Sequence, residues 1–296
     1  MNVLISGATG LVGSALTDAL KQAAHTVTPL SRSASIPAAV SWDPLNGKLD
    51  PAALTGVDAA VHLAGENIAG RWTATKKKAI RESRVAGTRT LCSALAAMNV
   101  RPKVLVSASA IGFYGNRGDE IMTESSSQGT GFLPEVCQAW EDETKIAVAA
   151  GIRTVLVRIG VVLSPKGGAL KKMLTPFKLG LGGVIGDGKQ TMSWIALDDL
   201  VSVILFALNT QTLKGPVNAV APHPATNRAF TKTLGRVLSR PTIFPMPAFA
   251  ARLAFGEMAN DLLLGSTRVK PERLEAAGFS FKYPELEPAL RHVLAR

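Results

Sequence analysis

Cysteine and histidine are scarce in this sequence, and their scarcity excludes several kinds of site. The 296 residues include two cysteines, Cys92 and Cys137, and four histidines. The two cysteines provide neither a disulfide framework nor a metal-binding spacing, which is typical of a protein from a reducing compartment. We interpret both as small apolar residues of helices, and we expect no metal ion.

Long hydrophobic runs are also missing. No apolar run approaches the roughly 18 residues that a membrane span requires. The first residues lack the basic segment of a signal peptide, and glycines interrupt their apolar stretch. We therefore expect a cytoplasmic protein without a membrane partner.

Acidic residues are fewer than basic ones: the chain has 22 aspartates and glutamates and 33 lysines and arginines, which gives a formal charge of +11. Such an excess can attract nucleic acid, a membrane or an anionic ligand. The positive charge is scattered, however, and only residues 71–89 concentrate it. Aromatic residues make up 5% of the chain, and no nucleic-acid-binding motif is present. An anionic cofactor and a solvated surface account for the charge, so we expect no nucleic-acid partner; nothing indicates the oligomeric state.

Short apolar, mostly β-branched stretches alternate with helical patterns in the first half of the chain. This alternation is typical of a parallel, doubly wound sheet. The predicted strands are 3–6, 26–30, 58–64, 103–108 and 153–159, and the predicted helices are 12–23, 73–98 and 134–150. We therefore predict an α/β, Rossmann-like domain over residues 1–165.

The composition changes after residue 165. A glycine- and lysine-rich stretch is typical of a long functional loop. A helix over 198–209, capped by Asp198, precedes a strand at 216–220 that returns to the sheet. Residues 166–296 are thus predicted to form the substrate-side loop region and a smaller C-terminal lobe, with further helices at 227–238, 247–264 and 271–277.

The stretch SGATGLVG joins the first predicted strand to the first predicted helix. In a dinucleotide site, the first of three such glycines permits a tight turn, and the second lets the backbone approach a pyrophosphate. The third allows helix and strand to pack closely. The free N–H groups of the helix then face the phosphates. Gly7, Gly10 and Gly13 therefore predict a dinucleotide-binding turn.

The end of the second strand distinguishes NAD from NADP. An acidic residue there binds the 2′-hydroxyl of NAD, whereas an arginine suits the 2′-phosphate of NADP. This sequence has Ser31 and Arg32, so NADP(H) is favoured; a solvated loop arginine is the alternative.

The helix at 73–98 places a cation within its apolar stripe. On a helical wheel, Gly87 and Leu91 lie within about 20° of Ile80, and Arg84 lies at about 40°. A buried guanidinium requires an anionic or strongly polar partner. A cofactor phosphate or ribose and an internal carboxylate are equally suitable partners for Arg84.

These motifs resemble the extended short-chain dehydrogenase/reductase family. SGATGLVG is similar to its glycine fingerprint, HLAG (62–65) to the turn after its fourth strand, RVAGT (84–88) to its N-V-x-G-T motif, and SASAIGFYG (107–115) to the stretch that holds its catalytic serine. HLAGENIAGRW, SWIALDDL and LLLGSTRVKPERLEAAGF resemble the atypical "epimerase family" branch, which carries a small C-terminal domain of unknown function. The resemblance covers essentially the whole chain.

The resemblance implies NADP(H) binding and a set of contact residues. The segment after the sixth strand, here Gly160 to Val162, flanks the nicotinamide in the family. The implied cofactor-binding residues are Gly7, Thr9, Gly10, Leu11, Val12, Gly13, Ser31, Arg32, Leu63, Ala64, Gly65, Arg84, Ser107, Gly160 and Val162.

The family's Tyr-x-x-x-Lys pair is absent. In that pair, the lysine lowers the pKa of the tyrosine, which then moves a proton while hydride moves to or from the nicotinamide. This chain has two tyrosines, and neither has a lysine four residues later. On the expected helix, Leu133 and Cys137 occupy the two places.

Other residues are candidates for the proton step. Ser109 matches the family's catalytic serine, and Tyr114 follows the same strand, although a packed loop aromatic is slightly favoured for it. Cys137 would be acidic only in an electropositive site. A solvated helix face is expected for Glu135 and Glu141, and Trp194 is a candidate for lining the substrate cleft.

Two functions remain open on the sequence. The first is an NADP(H)-dependent oxidoreductase or epimerase that acts on an unidentified small molecule through a non-standard proton donor. The second is an NADP(H)-binding sensor or scaffold without turnover. A hydrolase is disfavoured because no G-x-S-x-G motif is present.

Overall fold

The computed structural model describes residues 1–33 and 35–296. Its centre is a seven-stranded sheet in which every strand pairing is parallel. The strands are β1 (Asn2–Ser6), β2 (Thr26–Ser31), β3 (Val40–Ser41), β4 (Ala59–His62), β5 (Val104–Ala110), β6 (Arg153–Ile159) and β7 (Gly215–Ala219). The predicted α/β class with a Rossmann-like sheet is confirmed.

The strand order across the sheet is β3-β2-β1-β4-β5-β6-β7. The chain therefore winds outward in one direction from β1 to β3 and in the other from β4 to β7. Ligands of such sheets bind beyond the carboxyl ends of the strands at the point where the winding reverses. Here that point lies between β1 and β4, which pair directly from Val3–Ala59 to Ser6–His62.

Helices cover both faces of the sheet because its strands carry apolar residues on both sides. Val3 and Ile5 of β1 face one helical layer, and Leu4 faces the other. One layer contains α1 (Leu11–Gln22) and α6 (Leu197–Asn209), and the other contains α2 (Ala74–Ala97) and α4 (Lys145–Ala149). Between α2 and α4 lies α3 (Phe132–Glu143), which packs against α2 near the carboxyl edge of β5.

A smaller lobe follows the sheet. Its helices are α5 (Gly168–Lys178), α7 (Asn227–Leu238), α8 (Ala248–Phe255), α9 (Glu272–Ala276) and α10 (Leu286–Val293), with a π-helical turn at Ala259–Leu263. Buried side chains of α5, α7 and α10 share one core. Residues 216–219 of the segment expected to return to the sheet lie in the edge strand β7. The division at residue 165 stays a prediction.

Three short strand pairs connect the lobe to the loops around the sheet. Val161–Leu163 pairs with Trp194–Ala196, Thr191–Met192 with Ala225–Thr226, and Ile121–Met122 with Arg268–Val269. Two 3₁₀ turns, Pro51–Leu54 and Ile111–Tyr114, complete the elements. None of these pairs was predicted, since each strand has only two or three residues.

The structure corrects four expectations about helices. The helix expected over 247–264 is divided into α8, which ends at Phe255, and the π-helical turn at Ala259–Leu263. The helix expected over 134–150 is interrupted at Thr144, which separates α3 from α4. The stretch expected to be a loop after residue 165 contains α5, whose apolar residues Leu170, Leu174 and Phe177 repeat at helical spacing. The helix α6 begins after Ala196 without a side-chain cap from any described residue, and Asp198 instead contacts His292.

Two absences hold for the described residues. No helix there is both long enough and apolar enough to cross a membrane. No group of three or more acidic, histidine or cysteine side chains has a metal-binding arrangement there.

Candidate functional site

The carboxyl ends of five neighbouring strands bring most predicted site residues to one edge of the sheet. Because the strands are parallel, Ser6, Ser31, His62, Ala110 and Ile159 all end at this edge. The loops that follow them carry the glycine turn, Arg32, the HLAG stretch and Gly160. We call this edge the cleft.

The glycine turn is packed too closely for any side chain at two positions. Gly7 has φ +74°, and a Cβ atom there would lie 2.9 Å from the carbonyl carbon of Leu63 and 3.0 Å from the amide nitrogen of Ala64. A Cβ on Gly13 would lie 2.1 Å from the carbonyl oxygen of Gly7. These contacts hold the start of α1 and the end of β4 against the same turn. Both positions therefore require glycine for steric reasons.

The N-terminus of α1 is open toward the cleft. Its N-cap is Gly10, and no described side chain caps the helix. The first amides of a helix have no partner within the helix and favour an anion. Thr9 and Gly10 are exposed, while Leu11 and Val12 are half-buried. The segment after β6 passes beside this end, since a Cβ on Gly167 would lie 3.3 Å from the Leu11 side chain.

The end of β2 is basic and polar. The Ser31 hydroxyl accepts a hydrogen bond from the amide of Ser33 at 3.0 Å. Arg32 is exposed and borders a cavity of about 500 Å³ that also contains Trp42 and Lys48. Two carboxylates line this cavity, but Asn46 binds Asp43 and the amide of Ala52 binds Asp50. The acidic side chains are therefore hydrogen-bonded within their own loops, and Arg32 has no described ion-pair partner.

A buried serine–histidine pair joins β1 to β4. Ser6 Oγ lies 2.6 Å from His62 Nδ1 and accepts the amides of Leu63 and Ala64 at 3.2 and 3.3 Å. This pattern assigns the hydroxyl proton to the bond with Nδ1. Burial, assisted by the charge of Arg84, lowers the pKa of His62 to about 4. His62 is therefore neutral and fixes the turn at Leu63 and Ala64 rather than acting as an acid.

Arg84 lies beneath the HLAG stretch. Its Nη1 donates to the carbonyls of Glu66 and Ile80 at 3.0 and 3.1 Å, and its guanidinium lies 5.1 Å above the Trp140 ring. A Cβ on Gly65 would lie 3.3 Å from the guanidinium carbon. No described carboxylate lies within ion-pair distance of Arg84, although the charge of Glu66 acts on it. Burial lowers the pKa of Arg84.

Ser109 belongs to a buried ionic cluster instead of facing the cleft freely. Its hydroxyl donates to Glu141 Oε1 at 2.6 Å, and Arg158 donates to both carboxylate oxygens of Glu141 at 2.8 Å. All three side chains are buried. Burial opposes the charge of Arg158, but the hydrogen bonds that it donates to Glu141 and the charge of that carboxylate outweigh burial and raise the pKa of Arg158. The expectation that Glu141 lies on a solvated helix face is wrong, whereas Glu135 is exposed.

Tyr114 extends this cluster toward β7. Its hydroxyl donates to Asn218 Oδ1 at 2.7 Å and accepts from Arg158 Nη1 at 3.0 Å. The side chain is completely buried against Phe113, and burial raises its pKa. Tyr114 is therefore the packed aromatic that the sequence slightly favoured.

The helix α3 presents no proton-transfer pair at the two expected places. Leu133 is half-buried and Cys137 is buried, and both side chains lie close to the place that a Cβ atom on Gly112 would occupy. Burial raises the pKa of Cys137 to about 12, so its thiol stays protonated. Trp194, a candidate for the cleft, is also fully buried, with its indole N–H donating to the His223 carbonyl at 3.1 Å.

The remaining predicted residues are close to the cleft or just below it. Ser107 is fully buried within β5. A Cβ on Gly160 would lie 2.8 Å from the Ser193 carbonyl, which explains the glycine directly after β6. Val162 is half-buried in the short pair with Ile195.

Sequence reasoning missed the Glu141–Arg158 pair although a signal was present. Arg158 interrupts the apolar strand RTVLVRI. A charge inside a strand that is covered on both faces requires a buried partner of opposite charge. Glu141, on the helix that precedes this strand, is that partner.

Two family models match the chain. The model described as "NAD dependent epimerase/dehydratase family" matches residues 3–220, and a "Domain of unknown function" model matches residues 246–293. An epimerase family protein of Mycobacterium bovis is 46% identical over 99% of this chain and 98% of its own length. Epimerase family protein SDR39U1 of Homo sapiens is 37% identical over the full length of both chains.

Solved structures show the same fold. The crystal structure of human SDR39U1 (isoform 2) with NADPH has a TM-score of 0.94 at 36% identity and covers both chains completely. A nucleoside-diphosphate sugar epimerase from Corynebacterium glutamicum has a TM-score of 0.83 at 40% identity, over 99% of this chain and 58% of its own. A UDP-glucose 4-epimerase from Thermotoga maritima, at 17% identity and a TM-score of 0.79, shares the fold.

We predict that breaking the buried ion pair on one side is costly. Glu141→Ala leaves the Arg158 charge buried without its partner, so we expect the free energy of unfolding to fall by about 3–5 kcal/mol. The double variant Glu141→Leu/Arg158→Met removes both charges and should recover most of this loss. Urea unfolding of the three proteins measures the difference; a loss below about 1 kcal/mol for Glu141→Ala would contradict a buried Arg158 charge that depends on Glu141.

We also predict an acid-dependent loss of stability through His62. The pKa of His62 is about 4 in the folded chain, against about 6.5 when unfolded. The unfolded state therefore binds this proton first, and stability falls as the pH drops from about 6.5 to about 4, by about 3 kcal/mol. The His62→Asn variant should not show this pH-dependent loss of stability. Urea unfolding across that pH range tests it, and parallel curves for the two proteins would show that His62 does not titrate in this way.

Proposed function

The chain belongs to the NAD dependent epimerase/dehydratase family, and from this premise we propose that it binds NADP(H) in the cleft and acts as an oxidoreductase or epimerase on a small molecule. One observation carries the proposal. The backbone of Gly7 packs directly against Leu63 and Ala64, and Gly13 packs against Gly7, beside an uncapped helix. This cradle leaves backbone amides at the point where the winding of the sheet reverses, which is the arrangement that binds a pyrophosphate.

The basic end of β2 supports NADP(H) over NAD(H). Residues 31–33 read Ser-Arg-Ser and contain no carboxylate for a ribose 2′-hydroxyl. Arg32 is exposed beside a cavity that Lys48 also lines. A guanidinium binds a phosphate through two parallel hydrogen bonds. The human relative of 36% identity was solved with NADPH.

Arg84 is proposed to hold the part of the cofactor that NADP and NAD share. Only its Nη1 makes hydrogen bonds with the described residues, so other N–H donors of the guanidinium are available beside Gly65. A partly buried cation with such donors stabilises a phosphate or ribose oxygen. The helix α2 and the Trp140 ring fix its orientation.

The bound cofactor would supply or accept the hydride, and the residues of the chain would orient it and exclude water. The proton step requires a group other than the Tyr-x-x-x-Lys pair, since Leu133 and Cys137 stand in its places. Ser109 and Tyr114 each donate a hydrogen bond to a buried partner. We therefore assign the proton step to neither in this conformation.

A non-catalytic NADP(H)-binding sensor or scaffold is the second candidate. The observation that favours it is the apolar pair Leu133 and Cys137 together with the engaged hydroxyl of Ser109. Calorimetric titration with NADPH, NADP⁺ and NADH tests the binding that both candidates share. Substrate-dependent loss of nicotinamide absorbance across a panel of carbonyl compounds would support the enzyme, and tight binding without any such change would support the sensor.

We predict that Arg32→Ala selectively weakens NADPH binding. The loss of a charge-assisted phosphate contact costs about 1.5–3 kcal/mol, which corresponds to about 10- to 100-fold in Kd. NADH binding should change by less than about twofold, because NADH lacks the 2′-phosphate. Arg81→Ala, at an exposed position of α2, is the matched control. Equal losses for both nucleotides would contradict the assignment of Arg32.

We predict a different pattern for Arg84→Leu. Binding of NADPH and NADH should weaken together by at least about tenfold, because a shared part of the cofactor loses its cation. The unfolding midpoint of the apo protein should stay close to wild type, since leucine fits the apolar stripe of α2. Arg84→Lys retains the charge and should lose less affinity. An apo protein that unfolds would show instead that Arg84 is structural.

A further inference from the structure

Exposed apolar side chains are concentrated on the C-terminal lobe. Six of them, each 54 to 77% exposed, form what we call the apolar strip: Leu179, Leu181, Ile243, Phe244, Phe249 and Leu253. Large exposed apolar patches mark interaction sites, whereas single exposed residues do not. The apolar strip therefore indicates an interaction site only if its residues lie close together.

Backbone contacts join the segments that carry the strip. The segment after α5 runs beside residues 240–246, with Arg240 Nε donating to the Lys178 carbonyl at 2.9 Å and Met246 N donating to the Val184 carbonyl at 2.9 Å. A Cβ on Gly183 would lie 1.7 Å from the Phe244 carbonyl oxygen. The helix α8 begins two residues after Met246, and Phe249 and Leu253 share one face of it at i, i+4 spacing. The segments that carry the strip therefore lie next to one another in the lobe.

The same segments carry a strong excess of positive charge. Residues 166–189 and 226–256 contain ten lysines and arginines and one acidic residue, Asp187. One of the ten, Arg236, forms an ion pair with Glu287. The segments that carry the strip and the helices next to them therefore hold a local excess of positive charge.

A basic cavity opens beside the strip. Its volume is about 300 Å³, and it is lined by Arg228, Lys232 and Ile243 among others, with no carboxylate in its lining. Lys232 Nζ donates to the backbone and hydroxyl oxygens of Thr242, both at 3.0 Å, and Arg228 Nη2 donates to the Asp187 carbonyl at 2.9 Å. Neither cation forms an ion pair with a described carboxylate, and together they suit an anionic headgroup.

We propose that this surface docks on an anionic membrane, with the apolar strip in the headgroup–acyl boundary and the cavity of Arg228 and Lys232 on an acidic headgroup. Apolar side chains surrounded by lysine and arginine are the combination that binds lipid surfaces. The proposal departs from the expectation, made from the sequence, that the chain has no membrane partner. It concerns association with a surface and is independent of the cofactor.

Two other occupants fit the surface less well. A second copy would bring the cations of this surface, Arg228 and Lys232 among them, close to the same cations of its partner, because the two-fold interface of a dimer repeats one surface. Single-stranded nucleic acid would suit the cations, but it binds by stacking on aromatic rings, and four of the six strip residues are aliphatic. Acidic lipid satisfies both the charge and the aliphatic side chains.

Co-sedimentation with vesicles tests the proposal. We expect the whole protein to bind equimolar phosphatidylglycerol–phosphatidylcholine vesicles at least about tenfold better than pure phosphatidylcholine vesicles. Binding should fall as salt is raised from about 0.1 M to about 0.5 M. No preference for the anionic vesicles would overturn the proposal.

Two double variants separate the roles of the strip and the cavity. Phe249→Ser/Leu253→Ser should reduce binding to anionic vesicles by about tenfold or more, because it removes exposed apolar area that the membrane would bury. Arg228→Ser/Lys232→Ser should reduce it by a similar factor and flatten the salt dependence. Circular dichroism and the urea midpoint confirm that each variant is folded.

Matched controls use exposed residues of the sheet domain. Val100→Ser/Val148→Ser removes equally exposed apolar side chains, and Lys21→Ser/Lys103→Ser removes two exposed cations. Both should bind vesicles like wild type, and equal losses in test and control variants would contradict a specific surface. Sedimentation that detects a dimer which Phe249→Ser/Leu253→Ser dissociates, without vesicle binding, would assign the strip to a second copy instead.

Discussion

The contact between the backbone of Gly7 and the end of β4 is the constraint on which the cleft depends. Hydrogen atoms in place of side chains at Gly7 and Gly13 allow β1, β4 and α1 to meet within van der Waals distance. The buried Ser6–His62 pair stabilises this contact, since Ser6 Oγ forms hydrogen bonds with the His62 ring and with the amides of Leu63 and Ala64. The geometry of the proposed phosphate site is therefore set by the core of the sheet.

The electrostatics around β5 and α3 differ from what the family resemblance implies. The resemblance implies a tyrosine and a lysine on α3, but the helix here carries Leu133 and Cys137 at those places. Its charged residue, Glu141, faces inward and neutralises Arg158. A buried pair of this kind contributes little net stability compared with apolar residues, although losing one partner is costly. The pair joins α3 to the sheet beneath the cleft, and the cation nearest the cleft in this region is Arg84 from α2.

The sequence predicts the sheet domain well because its signals are local. Apolar β-branched runs, the glycine turn and helix-length patterns are each properties of a few neighbouring residues, and the strand Arg153–Ile159 matches its predicted bounds. The features that sequence reasoning missed depend on distant partners. Asp198 contacts His292, and Glu141 binds Arg158 instead of water. Helical periodicity alone does not reveal which neighbour covers a face, so the exposure of Glu141 was predicted wrongly. The helix α5 was missed for a different reason, since its glycines and lysines obscured a regular apolar spacing.

The positive charge of the chain has two structural locations, and they imply different roles. Arg32 and Arg84 are single cations at the cleft, where each lacks a described carboxylate partner, and such isolated cations suit discrete anionic groups of one bound molecule. The cations around the apolar strip are numerous and mostly exposed, and they adjoin aliphatic side chains that a small anionic ligand would leave in water. The isolated cations favour recognition of a ligand by the geometry of its anionic groups. The clustered cations favour an extended anionic surface, whose attraction to the protein depends on the total charge and on the salt concentration. The isolated cations of the cleft and the clustered cations of the lobe therefore support two separate proposals, one for a bound cofactor and one for an anionic surface.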